Sequence, residues 1–217
     1  MSTGRNKKRT RGSASSLGRS AWIAAARSEL IKHGILGVKI GRLARLLKVT
    51  RGGFYWHFKN RADLLRQLLA DWEATNTAPF ERALSTNANG VEEFQAVVDL
   101  WVSEKEYSPA FDTAVRDWAR KSKDVAAAVH RADDRRIEVL RRMFLDMGYA
   151  DPEALVRARI AYFHQVGYYA LGMGESPVRR RRLVPVYVAV LTGTPPSRPR
   201  AAENRPDRAA PLTVRLR

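Results

Sequence analysis

Cysteine is absent from the 217-residue chain, so no disulfide and no thiolate metal site can form. That fits a reducing compartment, and a cytoplasmic, nucleoid-associated protein is expected. No stretch approaches the run of about 18 apolar residues that would cross a bilayer, so no membrane is expected among the partners. The N-terminal residues are charged but lack the apolar segment of a secretory signal. The four histidines (His33, His57, His130 and His164) are scattered, with no H-E-x-x-H spacing. There is no nucleophile elbow and no phosphate-cradling glycine loop. No catalytic residue, no metal ligand and no cofactor is therefore expected, and the chain does not read as an enzyme. Strand-like alternation and internal repeats are also missing, which leaves an all-α fold.

Acidic residues are outnumbered by basic ones, 22 against 39, for a net charge of +17. The excess is uneven. Residues 1–72 hold 16 basic and 3 acidic side chains, residues 73–178 hold 13 and 17, and residues 179–217 hold 10 and 2. A basic head on a mildly acidic body points to a head that meets a polyanion.

Residues 1–19 are polar and basic and read as a disordered arm. Arg5, Lys7, Lys8, Arg9 and Arg11 could follow a phosphate backbone or serve only solubility. Apolar spacing then predicts a helix over 20–32, with Trp22, Ile23, Ala26 and Leu30 inward and Gly34 ending it. Further helices are predicted over 40–47, 51–57 and 61–73. Pro79 and the run Ser85-Thr86-Asn87-Ala88-Asn89-Gly90 make 75–90 a loop. The body continues with a helix marked by Phe94, Val97, Val98 and Trp101. Ser108-Pro109 opens the next one, and Ser122 starts a long helix closed by Gly148. Asp151-Pro152 precedes a helix over 153–173. Ser176-Pro177 opens a last region that Pro185 should end or kink, leaving 186–191 as a separate short helix. The Pro- and Arg-rich residues 192–217 read as a disordered tail.

The stretch from Val38 to Leu65, VKIGRLARLLKVTRGGFYWHFKNRADLL, carries the most information. Leu43, Ala44, Leu46 and Leu47 make an apolar face at helical spacing. Thr50 and Asn60 stand where helix N-caps are needed, with Asp63 an acid in the first turn after Asn60. Phe54 and Phe58 recur at i, i+4 and pin one short helix. Between the caps lies a small, basic and aromatic surface. This run, with Leu43-Ala44, Val49-Thr50, Phe54-Tyr55-Trp56-His57-Phe58-Lys59-Asn60-Arg61 and Leu64-Leu65, resembles the helix-turn-helix of the tetracycline-repressor (TetR) family. The likeness covers about fifty residues. Lys48 stands where the family usually has a turn glycine, at a position that often needs φ > 0. Lys39 replaces a Ser/Thr cap. Gly41 lies inside the second helix at a cost of about 1 kcal/mol relative to Ala.

The resemblance implies an all-α fold. A three-helix DNA-binding domain would span 20–66, and a helical ligand-binding and dimerisation domain 67–191. It implies a sequence-specific regulator of transcription, in this family most often a repressor, relieved by an unidentified small-molecule effector. Residues 51–57 would be the recognition helix. Arg51 suits two bonds to guanine, worth about 1–3 kcal/mol of discrimination. Thr50 would touch a base or a phosphate, and Gly52 and Gly53 would let the backbone approach DNA closely. Tyr55 and His57 correspond to DNA-facing positions, and Arg61 to a phosphate-contacting cation. Trp56 could pack on backbone sugars or plug the head's own core. Lys39, Arg42, Lys48 and Lys59 are candidate phosphate partners.

Homodimerisation through 155–173 and 177–191 is implied as well. Ala161, Gly167, Ala170 and Gly172 would allow close approach there, with Tyr162, Val166, Tyr169 and Leu171 supplying apolar area. Such a dimer would read a palindromic operator in double-stranded DNA. Trp101, Phe111, Trp118, Phe144, Tyr162, His164 and Tyr168 are the large body residues that could line an effector pocket, or simply fill the core. The alternative reading is a non-specific architectural DNA-binding protein, favoured by the basic arms and by the side-chain-poor pair Gly52-Gly53.

Overall fold

The computed structural model describes residues 18–84 and 89–193, and every regular element among them is a helix. The five arm cations and the tail beyond Gly193 lie outside the described residues. The head comprises α1 (Arg19–Gly37), α2 (Ile40–Leu46) and α3 (Arg51–Tyr55), and α4 (Arg61–Asn76) leads out of it. Trp22, Ala26 and Leu30 of α1 are buried, together with Leu43, Ala44, Phe54, Phe58, Leu64 and Leu68. The i, i+4 spacing of Phe54 and Phe58 stacks their rings at 5.1 Å, and the Trp22 ring meets Phe54 edge-on at 5.3 Å. Gly34 has φ 63° and breaks the first helix, but one further turn follows to Gly37. Lys48 does take the left-handed backbone, with φ 55°. Leu46 is not part of the apolar face: it is 54 % exposed, because only Leu43 and Ala44 of the seven-residue α2 are buried.

The body comprises α5 (Ala78–Ala83), α6 (Gly90–Ser103), α7 (Pro109–Ala119), α8 (Lys123–Asp146), α9 (Glu153–Ala170) and α10 (Pro177–Thr192). Ser108, Ser122 and Ser176 each accept a bond from a first-turn amide, as their positions before the helical runs require. Two expectations are corrected. The segment 75–90 is not wholly a loop, because α5 forms within it. Pro79 sits in the first turn of α5, where no intrahelical N–H is needed. Asn89, read as loop, is the N-cap of α6 and completes a capping box with Glu92. Nor does Pro185 divide the last helix: α10 runs through it to Thr192. Pro185 is solvent-exposed, so water can serve the backbone acceptor that the proline leaves without its amide partner.

The head does not own its core. Phe111, Ala114, Val115 and Trp118 of α7, with Val125, Val129 and Ala132 of α8, extend the cluster begun by Trp22 and Phe54, so head and body share one apolar mass. A second cluster joins Phe80, Phe94, Trp101, Leu140, Phe144, Ala158 and Tyr162.

A polar network ties the connecting helix to the body. The Trp72 indole donates to Asp112 Oδ1 (3.0 Å), which also accepts from Arg136 Nη1 (3.0 Å). Arg136 is 1 % exposed and donates to Thr77 Oγ1 and to the Tyr162 hydroxyl. Arg116 bridges Asp112 (2.7 Å) and Asp133 (2.6 Å), and the Tyr162 hydroxyl donates to Asp133 Oδ1 (2.6 Å). Burial alone would raise the Asp112 carboxyl, but the Arg136 and Arg116 guanidiniums outweigh it and hold that group below its ordinary value. Burial pushes the Tyr162 phenol up, so it stays a neutral donor. In such a buried cluster the loss of one partner is costly because the other charge is stranded.

Candidate nucleic-acid interface

The interface is built on α3. Thr50 precedes it with extended backbone (φ −76°, ψ 155°), but its hydroxyl caps no amide of α3. Thr50 and Arg51 are exposed. Arg51 lies back across α2, with its Cδ and Nε 4.0 Å from where a Cβ on Gly41 would stand. Neither Gly52 nor Gly53 has positive φ. A Cβ on Gly53 would meet nothing within 4 Å, and one on Gly52 would meet only Thr50 Oγ1 at 3.6 Å. The fold therefore has no internal need of either glycine, and α3 presents bare backbone to solvent. Tyr55 is 58 % and Trp56 88 % exposed, so Trp56 does not plug the head's core. His57 is half-buried, and its carbonyl accepts a bond from Arg19 Nη2 (2.6 Å). Lys39, Lys48 and Lys59 all point their charge to solvent on the same small unit.

Two cations have other employment. Arg61 Nε donates to the Val38 carbonyl (2.7 Å) and its Nη2 to the Ile35 carbonyl (2.9 Å), so its guanidinium staples α4 to the end of α1. Both carbonyls lie at the C-terminal end of the first helix, where acceptors outnumber amide donors; Ile35 also accepts the Val38 amide (3.3 Å). Arg61, expected at a phosphate, thus has intramolecular partners for its Nε and Nη2. Arg42 is ion-paired with the buried Glu29. Asp63 supports the turn before α4: its carboxylate accepts the Lys59 amide, which holds the group below its ordinary value. Arg19 is the interface residue that pattern reading missed. Its partner is a backbone carbonyl 38 residues away, and no local spacing signals that.

The residues expected to line an effector pocket separate into different places. Trp101, His164 and Tyr168 border one cavity between α6, α9 and α10. The other four do not line it. Phe111 and Trp118 belong to the shared head–body core, Phe111 beneath the Arg27 guanidinium. Phe144 packs against Phe94 in the second core at 5.2 Å. Tyr162 is enclosed in the arginine–aspartate network.

The residues expected at a dimer interface separate as well. Ala161 and Tyr162 are buried at 2 % and 3 %, and the Tyr169 hydroxyl donates to the Trp101 carbonyl, so these serve the protein's own interior. The outer face of α9 carries Val156, Ile160 and Phe163, all at least half exposed, and a Cβ on Gly167 would meet nothing within 4 Å. Val186 and Val190 of α10 are 52 % and 72 % exposed.

Residues 23–68 match the family model of bacterial regulatory proteins of the tetR family. The chain is 38 % identical over 58 residues to the HTH-type transcriptional regulator TtgR of Pseudomonas putida, covering 27 % of this chain and 28 % of TtgR. It is 25 % identical over 177 residues to the HTH-type transcriptional regulator SrpR of Pseudomonas putida, covering 79 % of this chain and 70 % of SrpR. The match to TtgR thus spans little more than a quarter of that relative's length. Among solved structures, reduced NemR of E. coli superposes with a TM-score of 0.63 at 16 % identity, covering 81 % of this chain and 96 % of NemR. FadR from Bacillus subtilis in complex with stearoyl-CoA gives 0.58 at 13 % identity, covering 81 % and 98 %. At these identities the structural likeness is one of fold.

Proposed function

From residues 23–68, which match the family model of bacterial regulatory proteins of the tetR family, we propose that the chain is a homodimeric, sequence-specific transcriptional repressor of the cytoplasm whose grip on a palindromic operator is relieved by a small molecule bound in the body. One observation carries the DNA reading: α3 and its C-cap present two large exposed aromatics, Tyr55 and Trp56, and its first turn holds two glycines, Gly52 and Gly53, that no neighbour requires. An 88 % exposed tryptophan leaves apolar area in water that a groove wall would cover. In this reading α3 lies in the major groove, Arg51 reads a guanine edge, and Thr50, Tyr55, Trp56 and His57 touch bases, sugars or phosphates. Lys39, Lys48 and Lys59 serve the phosphates.

A single head covers only a few base pairs. Two heads about 34–36 Å apart, one helical turn, would read two half-sites. The bare apolar faces of α9 and α10 fit a second copy of this chain, packing Val156, Ile160, Phe163, Val186 and Val190 across a two-fold axis with Gly167 at the close approach. The shared core and the Trp72–Asp112 contact tie α7 and α8 to the head, and the Tyr162 hydroxyl ties α9 to the same network.

Selection of bound fragments from a random DNA pool, at about 150 mM salt to suppress non-specific phosphate binding, tests the reading. A palindrome is expected, and Arg51→Ala should weaken binding to it far more than to random DNA. Recovery of no motif, with affinity that collapses as salt rises, would refute sequence reading and favour an architectural DNA binder.

A further inference from the structure

The cavity between α6, α9 and α10 contains an unanswered donor. Gln165 is 7 % exposed and lines the cavity, and its Nε2 has no acceptor among the described residues. Much of the surrounding wall is apolar, made by Phe94, Val98 and Trp101 from α6 and by Val184, Val188 and Leu191 from α10, with His164, Tyr168, Glu175, Arg180 and Tyr187 completing it. A buried amide N–H with no partner keeps its full desolvation penalty, and an occupant that accepts from it removes that penalty. We propose that this cavity binds a neutral, largely apolar small molecule that presents a single hydrogen-bond acceptor to the Gln165 side-chain amide.

The charges around the cavity select against ions of either sign. Arg180 is already satisfied: it donates to Glu104 Oε1 (2.8 Å) and the Tyr169 hydroxyl (2.8 Å), and it stacks over Tyr168 at 4.6 Å. Glu175 is paired with Arg179 at 3.3 Å. Burial, and then Arg180, lowers the pKa of His164, so its imidazole is neutral at neutral pH. Among the described residues of the wall, no charge is left over to hold an ionic ligand.

The cavity measures about 50 Å³. Tyr168 and Arg180 also border a neighbouring cleft of about 640 Å³. The acceptor-bearing end would sit inside, with the bulk of a larger molecule passing these two side chains into the cleft. The site rests on the reading of the body as an effector-binding unit and names the chemistry that unit would take.

Calorimetric titration of the full chain with four probes of similar size tests it: acetophenone, ethylbenzene, benzoate and benzyltrimethylammonium. Acetophenone should bind about tenfold more tightly than ethylbenzene, which lacks the acceptor, and both ions should bind more weakly than acetophenone. In Gln165→Leu the order of acetophenone and ethylbenzene should reverse. In the native protein, acetophenone should also shift the Gln165 side-chain amide resonances, a readout that needs no variant. Equal affinities for the two neutral probes, no binding of either, or an unmoved Gln165 amide would overturn the proposal. Probe binding that leaves operator affinity unchanged would keep the site and refute the effector reading. Operator release that persists unchanged in Gln165→Leu would do the reverse.

Discussion

Replacing Gly52 and Gly53 by alanine should strengthen the fold and weaken its grip on DNA. In a helix each glycine is about 0.5–1 kcal/mol worse than alanine, because more backbone freedom is lost. A methyl group has room at both positions, with nothing within 4 Å of the Gly53 Cβ and only Thr50 Oγ1, at an ordinary 3.6 Å, near that of Gly52. Neither residue has positive φ, so no backbone strain opposes the change. The double variant should gain about 1–2 kcal/mol. For a chain of this size that raises the melting temperature by roughly 2–8 °C. If these glycines exist to bring the α3 backbone against DNA, two methyl groups will hold the helix off the groove floor, and affinity for the selected operator should fall at least tenfold. Thermal denaturation and fluorescence anisotropy with labelled operator measure the two effects. Unchanged operator affinity would refute close backbone approach. A lowered melting temperature would refute the claim that the fold has no use for the glycines.

Arg61→Met should destabilise the fold by about 1–3 kcal/mol for a lost charged clamp, seen as a lower melting temperature, and leave the salt dependence of operator binding unchanged; a salt slope reduced by about one would mean that Arg61 does engage a phosphate. Arg136→Met should cost about 3–5 kcal/mol near neutral pH, because Asp112 keeps its buried charge but loses a main partner. The Asp112 carboxyl is held below its ordinary value of 3.8, so its pairing contributes stability above that pH and loses it as pH falls through the lowered value. The deficit of Arg136→Met, followed by chemical denaturation, should therefore shrink on acidification below about pH 4, and a pH-independent deficit would count against the pairing. Ile160→Asp should yield monomers in sedimentation velocity and weaken operator binding while leaving the helix content unchanged; a persisting dimer would place the interface elsewhere.

The head was legible because what shapes it is local. Caps, apolar spacing and the Phe54–Phe58 pair act across three or four residues. Apart from Arg19, the side chains that would meet DNA fall within one contiguous run, so reading that run is almost the same as reading the surface. The departures came where the partner was distant or the element short. Leu46 has the residue type of a core position and is exposed, because one short helix can bury only so much of its surface. The α5 helix was hidden by a proline, which breaks helices in their middle but begins them comfortably.

In the body, periodicity identified apolar stripes but not what each stripe would meet. On α9, Ala161, Tyr162 and Phe163 are consecutive, yet the first two are buried in their own chain and the third faces out. Residue type alone cannot separate an intramolecular partner from a second copy. Arg136 reads as one more helix-surface arginine until Asp112, 24 residues away, and Thr77, 59 residues away, surround it. The unanswered amide of Gln165 exists only because α6 and α10 close over α9. Helix formation, capping and the DNA-facing pattern follow from near-neighbour chemistry and are written along the chain. Burial, charge pairing and the emptiness of a cavity depend on how helices far apart in sequence come together, and those the tertiary fold alone decides.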